Sequence, residues 1–151
     1  MLDDFDQKIL QSLQSDSQKT LAQTANDVGL SVSACHRRIG LLERAGVIEG
    51  YGARINAAAI GRSMTFYVEV SLSSQSENVL AEFEAAALTR SEVLECHLMT
   101  GQADYLIRVA ATDTQDYEQQ YRRVIAALPH VARIQSALVM KTVKPWRGFV
   151  G

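Results

Sequence analysis

The sequence predicts an α+β chain. A helix-turn-helix unit with a winged-helix-like outline covers residues 1–62, and a βαββαβ ferredoxin-like sandwich covers residues 63–151. Three observations predict it. The hydrophobic period is helical up to about Arg62 and alternates between strand and helix beyond it. A glycine-containing turn, Val28-Gly29-Leu30-Ser31, separates two short amphipathic helices. The later patterns follow in the order β-α-β-β-α-β, with no internal repeat or low-complexity tract.

In the first helix Phe5, Ile9, Leu10 and Leu13 share a face, and Asp3, Asp4 and Asp6 crowd the end where the helix dipole favours anions. Thr20 with Gln23 three positions on is a capping-box signature, followed by Leu21, Ala25 and Val28 at helical spacing. Gly29 stands where a helix ends in a positive φ. Ser31 or Ser33 caps a third helix whose inward face is Cys35, Ile39 and Leu42, ending at Ala45-Gly46. Residues 47–55 read as a short extended piece and 56–61 as a connection.

In the second half Phe66, Val68, Val70 and Leu72 alternate with Tyr67, Glu69 and Ser71, which is strand period. A helix is expected over 76–88, strands over 93–100 and 105–111, and a turn at Gly101-Gln102-Ala103-Asp104 between them. Tyr117, Tyr121, Val124 and Leu128 give a helix over 116–128 that Pro129 stops. A last strand is expected over 134–143. The strands at 105–111 and 134–143 are apolar in both registers, so a second copy is expected to cover the sheet face away from the helices.

Composition excludes several classes. Hydrophobic residues at 47% and charged residues at 21% fit a globular chain rather than a disordered one. No apolar run nears the roughly 18 residues of a membrane span, and the acidic start, MLDDFDQKIL, is unlike a secretory signal. No membrane partner is expected. Two cysteines, Cys35 and Cys96, cannot make a disulfide framework, which fits a reducing cytoplasm. His36, His97 and His130 are scattered, so neither a metal nor another cofactor is expected. No phosphate loop or nucleophile constellation appears, and Glu82 and Glu84 read as a solvated helix face, so no enzyme activity is expected.

Residues 1–62 hold seven acids and seven bases, so bulk charge does not draw this unit to nucleic acid. The third helix is different. Residues 31–44 carry three arginines against Glu43, and the helix is about 21 Å long at 1.5 Å per residue, enough to lie in a major groove. With its apolar face inward, Ser31, Ser33, His36, Arg37 and Arg38 are the candidate contacts to double-stranded DNA. The competing reading is an ordinary solvated helix face.

LSVSACHRRIGLLERAGVIEGYGARIN, residues 30–56, resembles the turn, recognition helix and following segment of the Lrp/AsnC (leucine-responsive, feast/famine) transcriptional regulators. LDDFDQKIL resembles their first helix, MTGQADYLIRV (99–109) their Gly-x-x-Asp-Tyr turn, and IQSALVMKTVK their final strand. Gly40 and Leu41 stand where many relatives carry basic residues, and Val32 and Ala34 where some have proline. The resemblance implies a dimer, commonly built further into an octamer, that binds promoter DNA. It also implies a small-molecule effector, often an amino acid, held at an interface between effector domains.

The residues of that turn fit such a ligand. Gly101 permits close backbone approach, Asp104 can pair with an α-ammonium group, Ser136 offers a hydroxyl, and Met99 and Thr100 could line the pocket. The alternative is a plain β-turn in which Asp104 hydrogen-bonds its own backbone. Rival functions are an architectural chromosomal protein without an effector, and a sensing subunit that controls an enzyme.

Overall fold

The computed structural model describes residues 1–149. Local caps build the helical unit. Asp3 caps α1 (Asp4–Ser15) in a reciprocal box with Asp6. Thr20 and Gln23 form the same device at α2 (Leu21–Val28), as their spacing predicts. Ser31 caps α3 (Val32–Arg44), its hydroxyl accepting from the Ala34 N–H. Ile9, Ala25, Val28, Cys35 and Leu42 close the core of the unit, with Ile39 packed beside them.

Gly29 ends α2 at φ 74°, where an L side chain costs roughly 1–2 kcal/mol. A Cβ there meets nothing within 4 Å, so the penalty is the backbone's alone. Gly29→Ala is expected to destabilise the helical unit by about that amount, read as a lower denaturation midpoint.

The sheet contains β1 (Met64–Leu72), β2 (Glu95–Leu98), β3 (Tyr105–Ala111) and β4 (Val131–Leu138), in the order β2-β3-β1-β4 with every neighbour antiparallel. That is the ferredoxin-like order. α4 (Glu77–Leu88) follows β1, and α5 (Thr114–Gln120) follows β3. Both helical segments pack on one sheet face, where Phe66, Val68 and Val70 meet Phe83, Ala87 and Ile125. Phe83 lies against the ring of the buried Tyr105, centroids 4.4 Å apart, and the Tyr105 hydroxyl donates to Glu84.

Four expectations about local structure need correction. Residues 47–55, expected as a short extended piece, form no strand, and Val47 and Ile48 lie in a bend whose N–H groups donate to the Leu42 carbonyl. The helix expected over 116–128 starts at Thr114, and after Gln120 it opens into a π-helical turn, Tyr121–Ile125. There the Ala126 N–H donates to the Tyr121 carbonyl. Gln120, Val124, Ile125 and Leu128 are buried along this segment.

β4 runs over 131–138 rather than 134–143. Its partner β1 fixes the span, from Leu72 opposite Val131 to Phe66 opposite Leu138, and β1 begins only at Met64. His130 enters the strand at φ 64°, its ring nitrogen 2.6 Å from Glu82. Because Val139 falls outside the strand, the open face is less apolar than expected. Tyr67 and Leu106 share it with Glu69, Arg108, Glu95 and His97, by the cross-strand register.

The chain divides into two compact units at Arg54/Ile55, earlier than the expected cut after Arg62. The tail from Val143 groups with the helical unit rather than with the sheet that precedes it. Trp146 and Phe149 stack edge to face, and with Leu10, Leu13, Gln14 and Tyr51 they line one groove. Gly148, at φ 103°, sits so close to Gln14 that a Cβ would lie 2.5 Å from its amide oxygen.

Candidate nucleic-acid interface and effector turn

The core stripe of α3 decides which side chains are free. Cys35 and Leu42 are buried, and burial pushes the Cys35 thiol pKa up, as befits a core residue. At about 100° per residue, Arg37 points some 200° away from Cys35, into solvent. Ser33 and His36 are exposed on the same side. The Ser31 and Ser33 hydroxyls are 3.3 Å apart at the start of the helix, so Ser31 is both cap and surface residue.

Arg38 behaves differently. Its Nη1 donates to Asp3 Oδ2 and Asp6 Oδ1, each at 2.8 Å, and its side chain is only 23% exposed. The guanidinium also lies over the Phe5 ring, 5.4 Å from its centroid. Among the described residues the ion pairs of the helical unit are these and Lys19–Asp27, and none involves Arg37 or His36. Sequence spacing puts Arg38 beside the DNA-facing set; the structure puts it against α1.

In the sheet unit, the Met99 N–H donates to the Asp104 carbonyl and closes the turn between β2 and β3. Gly101 sits in it at φ 118°, which only glycine adopts readily. Met99, Thr100 and Gly101 are exposed and Asp104 is half-buried. Asp104 Oδ2 accepts from the Leu72 N–H at 2.7 Å and from Gln75 Nε2 at 3.3 Å. It therefore ties the turn to the end of β1, a bond the sequence does not reveal.

Ser136 is not brought to this turn within one chain. It stands opposite Val68 on the helix-facing side of β4 and hydrogen-bonds the Tyr117 hydroxyl. β1 separates β3 from β4, so strand spacing and rise put Ser136 roughly 14 Å from Asp104. Among the described residues no group of His, Cys, Asp and Glu could hold a metal ion, and no helix is long and apolar enough to cross a membrane.

Known proteins share both halves of this arrangement. Residues 2–49 match a family model described as winged helix-turn-helix DNA-binding, and residues 65–149 match one described as the Lrp/AsnC ligand binding domain. The chain belongs to the Lrp/AsnC family of transcriptional regulators. The Bkd operon transcriptional regulator of Pseudomonas aeruginosa is 37% identical over 94% of this chain and 93% of its own length.

Solved structures agree with that membership. An AsnC family transcriptional regulator from Agrobacterium tumefaciens superposes with a TM-score of 0.92 at 34% identity, covering 98% of this chain and 96% of that one. A transcriptional regulator of Neisseria meningitidis in complex with L-methionine superposes with a TM-score of 0.90 at 30% identity, covering 96% and 94%. This Lrp/AsnC chain thus pairs a helix-turn-helix unit with a ligand-binding unit.

Proposed function

We propose that this Lrp/AsnC chain reads double-stranded DNA with the outer face of α3 and that a small molecule, an amino acid, modulates its affinity or assembly. One observation carries the DNA reading. The core stripe of α3 faces inward while Ser33, His36 and Arg37 stay in solvent on a helix of groove-reading length. Ser31, at the exposed N-terminus of α3, suits a phosphate contact.

The effector reading rests on the β2–β3 turn, where Met99, Thr100 and Gly101 are open and the half-buried Asp104 uses Oδ2 to hold the Leu72 N–H. The relative solved with L-methionine supports an amino acid as the class of ligand. Because Ser136 stands far from that turn in one chain, a site using both draws them from two copies. Exposed Leu98, Met99, Leu138 and Met140 fit such an association. We accordingly propose a homodimer as the working form, in the cytoplasm where its DNA lies.

Gel-shift titration on the duplex upstream of its own gene tests the DNA reading. Arg37→Ala is expected to weaken operator binding by roughly 1–3 kcal/mol if Arg37 reads a base. If it holds a phosphate instead, all duplexes weaken alike and the salt dependence flattens. Unchanged affinity in the folded variant rejects the assignment.

A further inference from the structure

We propose that Arg38 is a positioning residue for DNA recognition: clamped by Asp3 and Asp6, it fixes the pose in which α3 presents Arg37 and His36, and it makes no DNA contact itself. This rests on α3 being the DNA-facing helix and says how that helix is aimed.

The carboxylate bookkeeping is what points to it. Asp3 Oδ1 accepts from the Asp6 N–H at 2.9 Å, and Asp6 Oδ2 accepts from the Asp3 N–H at 3.3 Å. The remaining oxygens, Asp3 Oδ2 and Asp6 Oδ1, both take the Arg38 guanidinium. Each carboxylate thus has one oxygen on the first turn of α1 and one on α3. The cap that starts α1 is also the socket for a side chain of α3. Its tip is held by two carboxylates that are themselves pinned to backbone N–H groups of that turn, and the Phe5 ring bounds it on one face.

Placement agrees. Arg38 lies three residues after Cys35 and four before Leu42, on the rim of the core stripe, whereas Arg37 stands opposite it. Both acids also lose by its departure. Moving Arg38 to a phosphate would give up two charge-assisted bonds and the ring contact. It would leave Asp3 and Asp6 uncompensated beside Asp4, as a block of negative charge near the DNA backbone. A bound complex keeps the clamp closed.

The test uses the full chain with three variants: Arg38→Gln, the double variant Asp3→Asn/Asp6→Asn, and Arg37→Gln. Asparagine caps helices as well as aspartate, so the double variant keeps the start of α1 while emptying the socket. Each is titrated against the upstream duplex and a shuffled duplex over a range of salt, with thermal melting read alongside.

Arg38→Gln and Asp3→Asn/Asp6→Asn change charge in opposite directions, yet both are expected to lower the operator-to-shuffled preference about tenfold. Neither should alter the slope of log Kd against log salt, whereas losing a phosphate contact changes that slope by about 0.9. A residue serving stability alone would lower the melting temperature and leave the preference intact, which overturns the proposal. So does tighter binding by the Asn/Asn variant, or a slope change in Arg38→Gln, since either makes Arg38 a DNA contact. Absence of any shift with the unaltered chain, or an unaffected Arg37→Gln, overturns the DNA-facing reading instead.

Discussion

Phe83→Ala is expected to cost about 3–5 kcal/mol, with the loss falling on the sheet unit. The ring is fully buried between β1, β3 and the C-terminal half of the α5 segment, and it lies against Tyr105, which is itself 1% exposed. Its neighbours in the core are apolar side chains and the Tyr105 ring, whose hydroxyl already has Glu84 as its partner, so the lining of the cavity loses contacts outright. The helical unit has its own core around Ile9 and Cys35 and is expected to melt near its original temperature. Calorimetry should therefore resolve a lowered transition beside an unshifted one. A single transition moved as a whole would mean that the two cores melt as one.

The second large effect concerns Asp104, where two substitutions separate two roles. Asp104→Asn keeps an oxygen for the Leu72 N–H but removes the charge that would meet an α-ammonium group. It is expected to melt within a degree or two of the parent and to bind the effector about 10- to 150-fold more weakly. That factor corresponds to the roughly 1.5–3 kcal/mol of a hydrogen bond to a charged group.

Asp104→Ala removes the acceptor as well. It leaves the part-buried Leu72 N–H unpaired, for a further 1–3 kcal/mol of stability. The effector is first found as the amino acid, among the twenty, that raises the melting temperature of the parent. Full response in Asp104→Asn would remove its charge from the ligand site and leave Asp104 as the tie between the turn and β1.

Legibility followed sequence distance. Thr20 with Gln23, Gly29 and Ser31 act within a turn of their own position, and the structure uses each as the pattern predicts. The open turn at 99–104 reads equally well, because Gly101 carries its own conformational signal.

What failed to show depends on remote partners. The clamp on Arg38 is hidden because its acids lie more than thirty positions away, and the helix dipole alone already accounts for acids at Asp3 and Asp6. The helical wheel held the missing hint, since Arg38 follows the core spacing of Cys35 and Leu42. The tie from Asp104 to Leu72 spans 32 positions and has no local mark. The π-turn was hidden for another reason. Tyr117, Tyr121, Val124 and Leu128 satisfy an ordinary helical period, so nothing betrays the π-helical turn at Tyr121–Ile125. β4 ends earlier than its hydrophobicity predicts because the strand it pairs with sets where it ends.

The tail from Val143 gives the helical unit a split origin in the chain. A ribosome that has translated as far as Arg54 has made α1, α2 and α3, but the residues bearing Trp146 and Phe149 are still about ninety codons away. The helical unit therefore lacks one wall of the groove beside Leu13 and Tyr51 until the whole sheet has been synthesised. A fragment expressed as residues 1–54 keeps the whole core of Ile9, Ala25, Val28, Cys35 and Leu42 and lacks that wall permanently.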